Sequence, residues 1–150
     1  MNIIYKAVSN LQRHAKVTGS RPVRTRFSYN SQQRKAFRRR HEVIPQYVQD
    51  HHVIPKQWKN HSSVLRFGLD INSSDNLIFM PTAYGKYKFN IRPERYTHDG
   101  GHYKYNIYIQ EMLNSMDGIE CDKCFRGEFT YFIFFLKRTL RWGDNIVPWQ

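Results

Sequence analysis

The chain has 150 residues and a mass of 18.1 kDa, which suits one compact domain. Hydrophobic residues make up 40% of it, and it has two cysteines, a composition that excludes both a wholly disordered chain and a disulfide-rich mini-domain. No apolar stretch reaches the roughly 18 residues of a membrane span, and the first residues lack the apolar segment of a secretory signal peptide. We therefore expect a protein without a membrane partner, located in the cytoplasm or delivered to a target cell.

The net charge of +12 is concentrated in residues 1–40, which hold 11 of the 24 lysines and arginines and no acid. Residues 41–150 hold 13 basic and 12 acidic residues, a net charge of +1. We predict a basic, helical N-terminal arm over residues 1–40, followed by the main domain over residues 41–150. Such an arm can neutralise phosphates and release their counterions, and its interleaved aromatic residues can stack on bases. A solvated tail or a membrane-surface patch is the alternative. The candidate nucleic-acid-binding residues are Arg21, Arg24, Arg26, Arg34, Lys35, Arg38, Arg39 and Arg40.

The predicted elements begin with two helical segments, over residues 1–18 and 31–41, which Gly19 and Pro22 separate. A segment rich in Val, Ile and Tyr predicts a strand over residues 47–54, ending at Pro55. Residues 56–75 are expected to form a loop with a short helical turn. A second short strand is predicted over residues 76–80, closed by Pro81.

The last third of the chain predicts two helices, so the expected fold class is α+β. The first is expected from about His98 to Met116, with Thr97 as its N-cap and Gly118 as its stop. Its first turn would contain Gly100 and Gly101, which cost about 1 kcal/mol each relative to alanine but allow a large group to approach the backbone. The second is expected over about residues 125–142, with a buried strand over residues 129–136 as the alternative.

Four of the seven histidines form two close pairs. His98 and His102, four residues apart, would point the same way from a helix, which suits metal chelation. His51 and His52 are adjacent at the end of the first predicted strand and would point to opposite faces of it. One of the two can therefore bind a metal ion while the other faces a substrate. The isolated histidines, His14, His41 and His61, are interpreted as polar surface residues.

These residues resemble a known family. The segment HHVIP at 51–55, Asn76 at the start of NLIFMP, and HDGGHYKYN at 98–106 resemble the HNH, or ββα-metal, nuclease superfamily. They are most similar to the branch with an Ala-His-His motif, many members of which are toxin or effector nucleases. Asp50 departs from the motif, because that branch has alanine there. The resemblance covers about residues 47–116 and implies a two-stranded hairpin plus a metal-binding helix, with the basic arm and the C-terminal helix as additions.

The resemblance also implies a ligand set and roles. His51, His98 and His102 would hold one divalent cation (Mg²⁺, Mn²⁺ or Zn²⁺), His52 would be the general base, and Asn76 would hold the histidine loop through its side-chain amide. This assignment suits phosphodiester hydrolysis, which needs a deprotonated water on one side of phosphorus and a Lewis acid on the other.

Two further polar residues are candidates for the site. Asn106, one helical turn after His102, is expected to contact a phosphate or to support a metal ligand, with an ordinary exposed helix residue as the equal alternative. Lys56 is a candidate phosphate contact, with a solvated surface lysine as the equal alternative, and Arg92 and Arg95 have the same two interpretations.

The predicted function is a metal-dependent endonuclease with little sequence specificity that acts on DNA, with RNA still open. The toxin likeness implies an acidic inhibitor protein as a partner. A nucleic-acid-binding module with a structural zinc site is the main alternative, and a membrane-surface or acidic-protein binder is a third. Cys121 and Cys124 make half of a zinc knuckle, which we interpret as incidental, although a redox-sensitive pair stays open.

Overall fold

A computed structural model describes residues 27–143 and 146–149. The predicted helix over residues 1–18, together with Arg21, Arg24 and Arg26, lies outside the described residues. Within them the fold is α+β, and short 3₁₀ turns occur at Lys56–Trp58 and Ser74–Asn76. The helices are α1 (Gln32–Arg40), α2 (Ser62–Phe67), α3 (Ala83–Lys88), α4 (Tyr103–Asp117) and α5 (Asp122–Trp142), and the strands are β1 (Val48–His52) and β2 (Leu77–Pro81).

The two strands form an antiparallel hairpin with a long connection. His51 pairs with Ile78 and His52 with Leu77, so both histidines lie at the end of β1 where the connection begins. Both strands lie where the sequence predicts them, although β1 is shorter than the predicted residues 47–54. One more cross-strand bond follows His52, from the Val53 N–H to the carbonyl oxygen of Asn76 at 2.8 Å, before the chain leaves the hairpin.

Helix α1, predicted as part of a separate arm, packs on the outer face of this hairpin. The Arg34 guanidinium bonds to the Asp50 carboxylate, with Nε 2.9 Å from Oδ1, and lies 4.4 Å above the Phe79 ring. The Phe37 ring stacks on the same Phe79 ring at 5.9 Å between centroids. The second half of the predicted arm is therefore joined to the hairpin by a buried ion pair and an aromatic contact.

Helices α4 and α5 supply most of the core. Tyr105, Ile109 and Leu113 on α4 and Phe125, Phe129 and Leu136 on α5 are fully buried. The helical prediction for residues 125–142 is confirmed, with three more residues at its start, and the alternative strand over residues 129–136 is wrong. Cys121 caps this helix, since its Sγ accepts the Cys124 N–H at 3.3 Å.

The predicted start of the preceding helix is wrong. Helix α4 begins at Tyr103 with His102 as its N-cap, whereas Thr97 was expected to cap a helix from His98. Gly100 has a φ of +75°, a left-handed conformation that interrupts a right-handed helix. His98 therefore lies in the irregular segment before the helix.

The segment between β2 and α4 contains helix α3, which the sequence did not predict. Gly85 on this helix packs so closely that a Cβ there would lie 1.9 Å from the carbonyl oxygen of Tyr47. Farther along, Arg92 and Arg95 donate to the backbone carbonyls of Trp142 and Arg141 at the end of α5. This segment is thus fixed to the hairpin at one end and to α5 at the other. Among the described residues, no helix has both the length and the apolar character needed to cross a membrane.

Candidate metal centre and its neighbouring histidine

Three histidines from separate parts of the chain meet beside the hairpin. Each of His51, His98 and His102 offers one ring nitrogen, and these nitrogens lie within 4.8 Å of one another. The ring centroid of His51 is 5.1 Å from that of His98 and 5.6 Å from that of His102. The structure thus brings together the three residues for which the sequence predicts metal binding, and leaves His14 outside the described residues.

The local backbone explains how this cluster forms without the predicted helical pair. His98 donates its backbone N–H to the carbonyl of Pro81 at 2.8 Å, which fixes it at the end of β2. The chain then turns through Gly100, and His102 caps α4. The two imidazoles meet at 5.2 Å between centroids because the glycine loop folds back, not because they lie one helical turn apart.

All three imidazoles are held in the neutral form that binds metal ions. Burial lowers the pKa of His51 well below its ordinary value, and the nearby His98 and His102 lower it further. Burial is also the main cause of the lowered pKa of His98, and with the neighbouring His98 it lowers the pKa of His102 to about 4. At neutral pH the cluster therefore presents lone pairs, without competition from protons.

The residues fit a divalent cation. His51 Nε2 and both ring nitrogens of His102 are buried and have no hydrogen-bond partner. Buried polar atoms without partners are uncommon in folded proteins, and imidazole nitrogens that converge on one point are typical ligands of zinc, nickel or cobalt. Three histidine ligands are also the protein share of many catalytic zinc sites.

His52 lies on the opposite face of β1 and is half-buried. Its Nε2 is 3.1 Å from Oδ1 of Asn72, and its ring packs 4.9 Å from the Tyr29 ring. Burial lowers the pKa of His52, the Asn72 hydrogen bond partly opposes that change, and Lys56 adds to it. The prediction that adjacent histidines face opposite sides of a strand is confirmed.

Asn76 is fully buried and holds the turn that follows the two histidines. Its Oδ1 accepts the Ile54 N–H at 2.7 Å, and its Nδ2 donates to the carbonyls of Ile54 at 2.9 Å and Ile71 at 2.8 Å. The buried Tyr105 hydroxyl bonds to the Val53 carbonyl at 2.6 Å, beside the same turn. These contacts are those expected of a residue that positions the histidine loop.

The candidate phosphate contacts fall into two groups. Lys35, Arg39 and Arg40 are exposed on α1, and Lys56 is exposed with its Nζ 4.0 Å above the Tyr29 ring. Arg34, by contrast, is only 5% exposed and paired with Asp50, and Arg38 is half-buried with its Nη2 2.6 Å from the Val48 carbonyl. The expectation that Arg34 contacts phosphate does not fit this burial, because its guanidinium is already satisfied within the fold.

The remaining candidates are spread around the centre. Asn106 is partly exposed in the first turn of α4, with its N–H bonded to the His102 carbonyl at 2.9 Å. Arg92 and Arg95 are engaged with backbone carbonyls, which is a structural role. The exposed thiols of Cys121 and Cys124 lie 2.6 Å apart at the start of α5.

Two residues at the site were not predicted from the sequence. Asn72 orients His52 from the connecting loop, and Trp149 packs against His51 and His102 with ring centroids at 5.2 and 4.0 Å. Asn72 belongs to no recognised motif, and Trp149 lies beyond the segment that carries the resemblance. Only tertiary structure brings either residue to the histidines.

Comparison with known proteins agrees with this geometry. A model of the AHH family, described as a nuclease family of the HNH/ENDO VII superfamily with conserved AHH, matches residues 32–127, which is more than half of the chain. No curated protein and no solved structure matches the chain. The family match begins at the first residue of α1, in agreement with the packing of that helix on the hairpin.

Proposed function

Because the chain belongs to the AHH nuclease family of the HNH/ENDO VII superfamily, we propose that it is a metal-dependent endonuclease that cleaves DNA with little sequence specificity. The observation that carries this proposal is the cluster of three neutral imidazoles, together with His52, which follows His51 in the chain but lies on the opposite face of the strand. His51, His98 and His102 would hold the ion, and His52 would act on the attacking water. When bound, a divalent cation supplies a Lewis acid that neutralises charge on the leaving oxygen.

His52 is suited to accept a proton. The Asn72 amide oxygen is an acceptor, so Nε2 of His52 carries the hydrogen of that bond and Nδ1 retains its lone pair. The lowered pKa keeps this imidazole neutral at pH 7, which is the form that a general base requires. Asn76 would keep His52 in position by fixing the backbone of the turn that follows it.

Substrate would be held by exposed basic residues near the hairpin. Lys35, Arg39 and Arg40 on α1, together with Lys56, would contact backbone phosphates, and Asn106 would contact a phosphate beside the centre. Arg21, Arg24 and Arg26 would extend this surface. Deleting residues 1–26, which removes six of the basic residues but keeps α1, should flatten the salt dependence of duplex binding by about 0.9 log unit per lost phosphate contact. An unchanged slope would exclude a role of this segment in backbone contact.

Cleavage with matched variants tests the proposal. Wild-type protein, His52→Ala, His51→Ala and the control His41→Ala would be incubated with plasmid DNA or total RNA, with chelator, Mg²⁺, Mn²⁺ or Zn²⁺. His41 is exposed and its ring packs on Phe37 of α1, away from the three clustered histidines, so His41→Ala should cut like wild type. His52→Ala should lose about 10²–10⁴-fold in rate while still binding metal, and His51→Ala should lose metal binding as well.

The outcomes separate the candidate functions. Cleavage of RNA but not DNA would support the endonuclease proposal and change its substrate from DNA to RNA. If neither is cut with any metal, while the protein binds nucleic acid and unfolds on chelation, the site is structural zinc and the enzyme proposal is wrong.

A toxin role with an acidic inhibitor is supported by the family likeness and the +12 charge. An unchanged cleavage rate on mixing with a candidate inhibitor would contradict its pairing with this protein.

A further inference from the structure

A tryptophan beyond the family-matched segment packs directly on the histidine cluster. Trp149 is 8% exposed, and its ring lies 4.0 Å from that of His102 at an angle of 34° and 5.2 Å from that of His51. The Trp149 ring also lies 5.2 Å from the ring of Tyr105, which in turn packs against the His51 ring. One indole therefore contacts two of the three histidines.

The same indole is fixed to the segment that carries the third histidine. Its Nε1–H donates to the carbonyl of Thr97, the residue before His98, at 3.1 Å. Two residues earlier, the Val147 carbonyl accepts the Tyr96 hydroxyl at 3.0 Å, and Val147 is 2% exposed. Segment 146–149 is thus anchored beside the centre by two hydrogen bonds and two buried side chains.

His102 depends on packing for its orientation. Neither of its ring nitrogens has a hydrogen-bond partner, so no bond sets the rotation of this imidazole. Metal-binding histidines are commonly oriented by a hydrogen bond from the second ring nitrogen, and loss of such an orienting contact weakens metal affinity. The His102 ring contacts the rings of His51, His98 and Trp149 at 5.6, 5.2 and 4.0 Å between centroids, so the indole is the nearest of these contacts and limits the rotation of the His102 ring most.

We propose that Trp149 is a positioning residue of the metal centre, which holds the His102 imidazole in its metal-binding orientation and closes one side of the histidine cluster. The inference rests on the proposed function, because it assumes that the cluster binds a divalent ion. It adds to the centre a residue outside the range that the family model matches.

Metal titration of the full chain tests this role directly. Zn²⁺ affinity would be measured by calorimetry for wild type, Trp149→Ala, Trp149→Phe and two controls. Trp142→Ala removes an indole that is 56% exposed, and Val147→Ala shortens the other buried side chain of segment 146–149. Trp149→Ala should weaken Zn²⁺ binding by about 10–100-fold, the usual cost of losing an orienting contact. Trp149→Phe, which keeps an aromatic ring, should recover most of the affinity, and both controls should bind like wild type.

A spectroscopic readout separates positioning from general stability. In the variant Trp58→Phe/Trp142→Phe, Trp149 is the remaining tryptophan, and Co²⁺ or Ni²⁺ should quench its fluorescence with the affinity seen by calorimetry. Circular dichroism would verify that each variant is folded at the titration temperature.

Each result has a distinct meaning. If wild type binds no metal, the proposed function itself fails. If wild type binds and folded Trp149→Ala binds equally well, the positioning role is wrong. An equal loss in Val147→Ala would assign the effect to the stability of the segment and would also overturn the proposal. If Trp149→Ala does not fold, Trp149→Phe and the quenching titration decide. The positioning role is contradicted if Trp149→Phe binds Zn²⁺ as tightly as wild type and the metal does not quench Trp149 in the single-tryptophan protein.

Discussion

Replacing Asn76 with alanine should destabilise the protein more than any surface substitution. Asn76 is 0% exposed, and its side chain makes three hydrogen bonds to backbone groups of Ile54 and Ile71. Each bond contributes about 1 kcal/mol net, and a buried group left unsatisfied costs about 1–3 kcal/mol. We therefore expect Asn76→Ala to lower the free energy of unfolding by about 3–6 kcal/mol, a large part of the roughly 5–15 kcal/mol of a typical domain.

Asn76→Asp sharpens this prediction because it keeps the volume and changes only the hydrogen-bonding groups. A carboxylate would still accept the Ile54 N–H but would direct its second oxygen at two carbonyls. It should be at least as unstable as Asn76→Ala at neutral pH. Burial against carbonyls would raise the pKa of the new carboxyl above its unfolded value. The stability of the variant relative to wild type should therefore recover as the pH falls towards about 5 and the group can donate, since the histidines with lowered pKa values affect both proteins equally.

Urea unfolding followed by circular dichroism measures both variants. Asn114→Ala is the matched control, since Asn114 is exposed and bonds through one atom to His61 at 3.0 Å, and it should change stability by less than about 0.5 kcal/mol. A loss below about 1 kcal/mol for Asn76→Ala, with an unchanged m-value, would refute the reasoning.

Three further changes should be visible in the same unfolding assay. Asp50→Ala leaves the Arg34 charge buried without its partner and should cost about 3–5 kcal/mol, with recovery in the double variant Asp50→Ala/Arg34→Met; an equal loss in both would contradict the ion-pair argument. Burial lowers the pKa of Lys137 to about 8, so the charged form is disfavoured in the folded state. The free energy of unfolding of the wild type should therefore rise between about pH 8 and 10.5. That of Lys137→Met should be about 1–2 kcal/mol higher than wild type at pH 7, after allowance for the partial exposure of the lysine. Gly85→Ala forces a Cβ to 1.9 Å from the Tyr47 carbonyl oxygen, so its melting temperature should fall clearly, and an unchanged melt would show that α3 is not fixed there.

The two strands and the long C-terminal helix were predictable because local patterns specify them, whereas the pairing of the strands as a hairpin was implied by the family resemblance. Each run of strand-forming residues is followed by a proline, Pro55 after the first and Pro81 after the second. The apolar residues of α5 repeat at helical spacing from Phe125 to Leu140. The start of α4 was not predictable in this way. Apolar residues set the helical phase, but Gly100 adopts a left-handed conformation that delays the helix until after His102.

The histidine cluster was predictable as a set of residues but not as a geometry. His51, His98 and His102 stand out by spacing and by family resemblance, yet the fold brings them together through a glycine loop and not through one helical face. Asn72 and Trp149 could not be predicted, because a loop asparagine and a distant tryptophan have no local pattern that marks them as neighbours of a histidine. The burial of Arg34 could not be predicted from the charge pattern of the sequence either. Its sequence context is that of a solvated basic run, and only the position of Asp50 reveals that it is buried.

The ion pair between Arg34 and Asp50 has a consequence for how the protein can be divided. A fragment that begins at residue 41 would expose the Phe79 ring and leave the Asp50 carboxylate without both of its guanidinium neighbours, Arg34 and Arg38. The carboxylate stands where the family motif has an alanine, which would tolerate such a cut. In this chain we therefore expect a fragment without helix α1 to be less stable than one that keeps it, because the aspartate within the motif joins that helix to the hairpin.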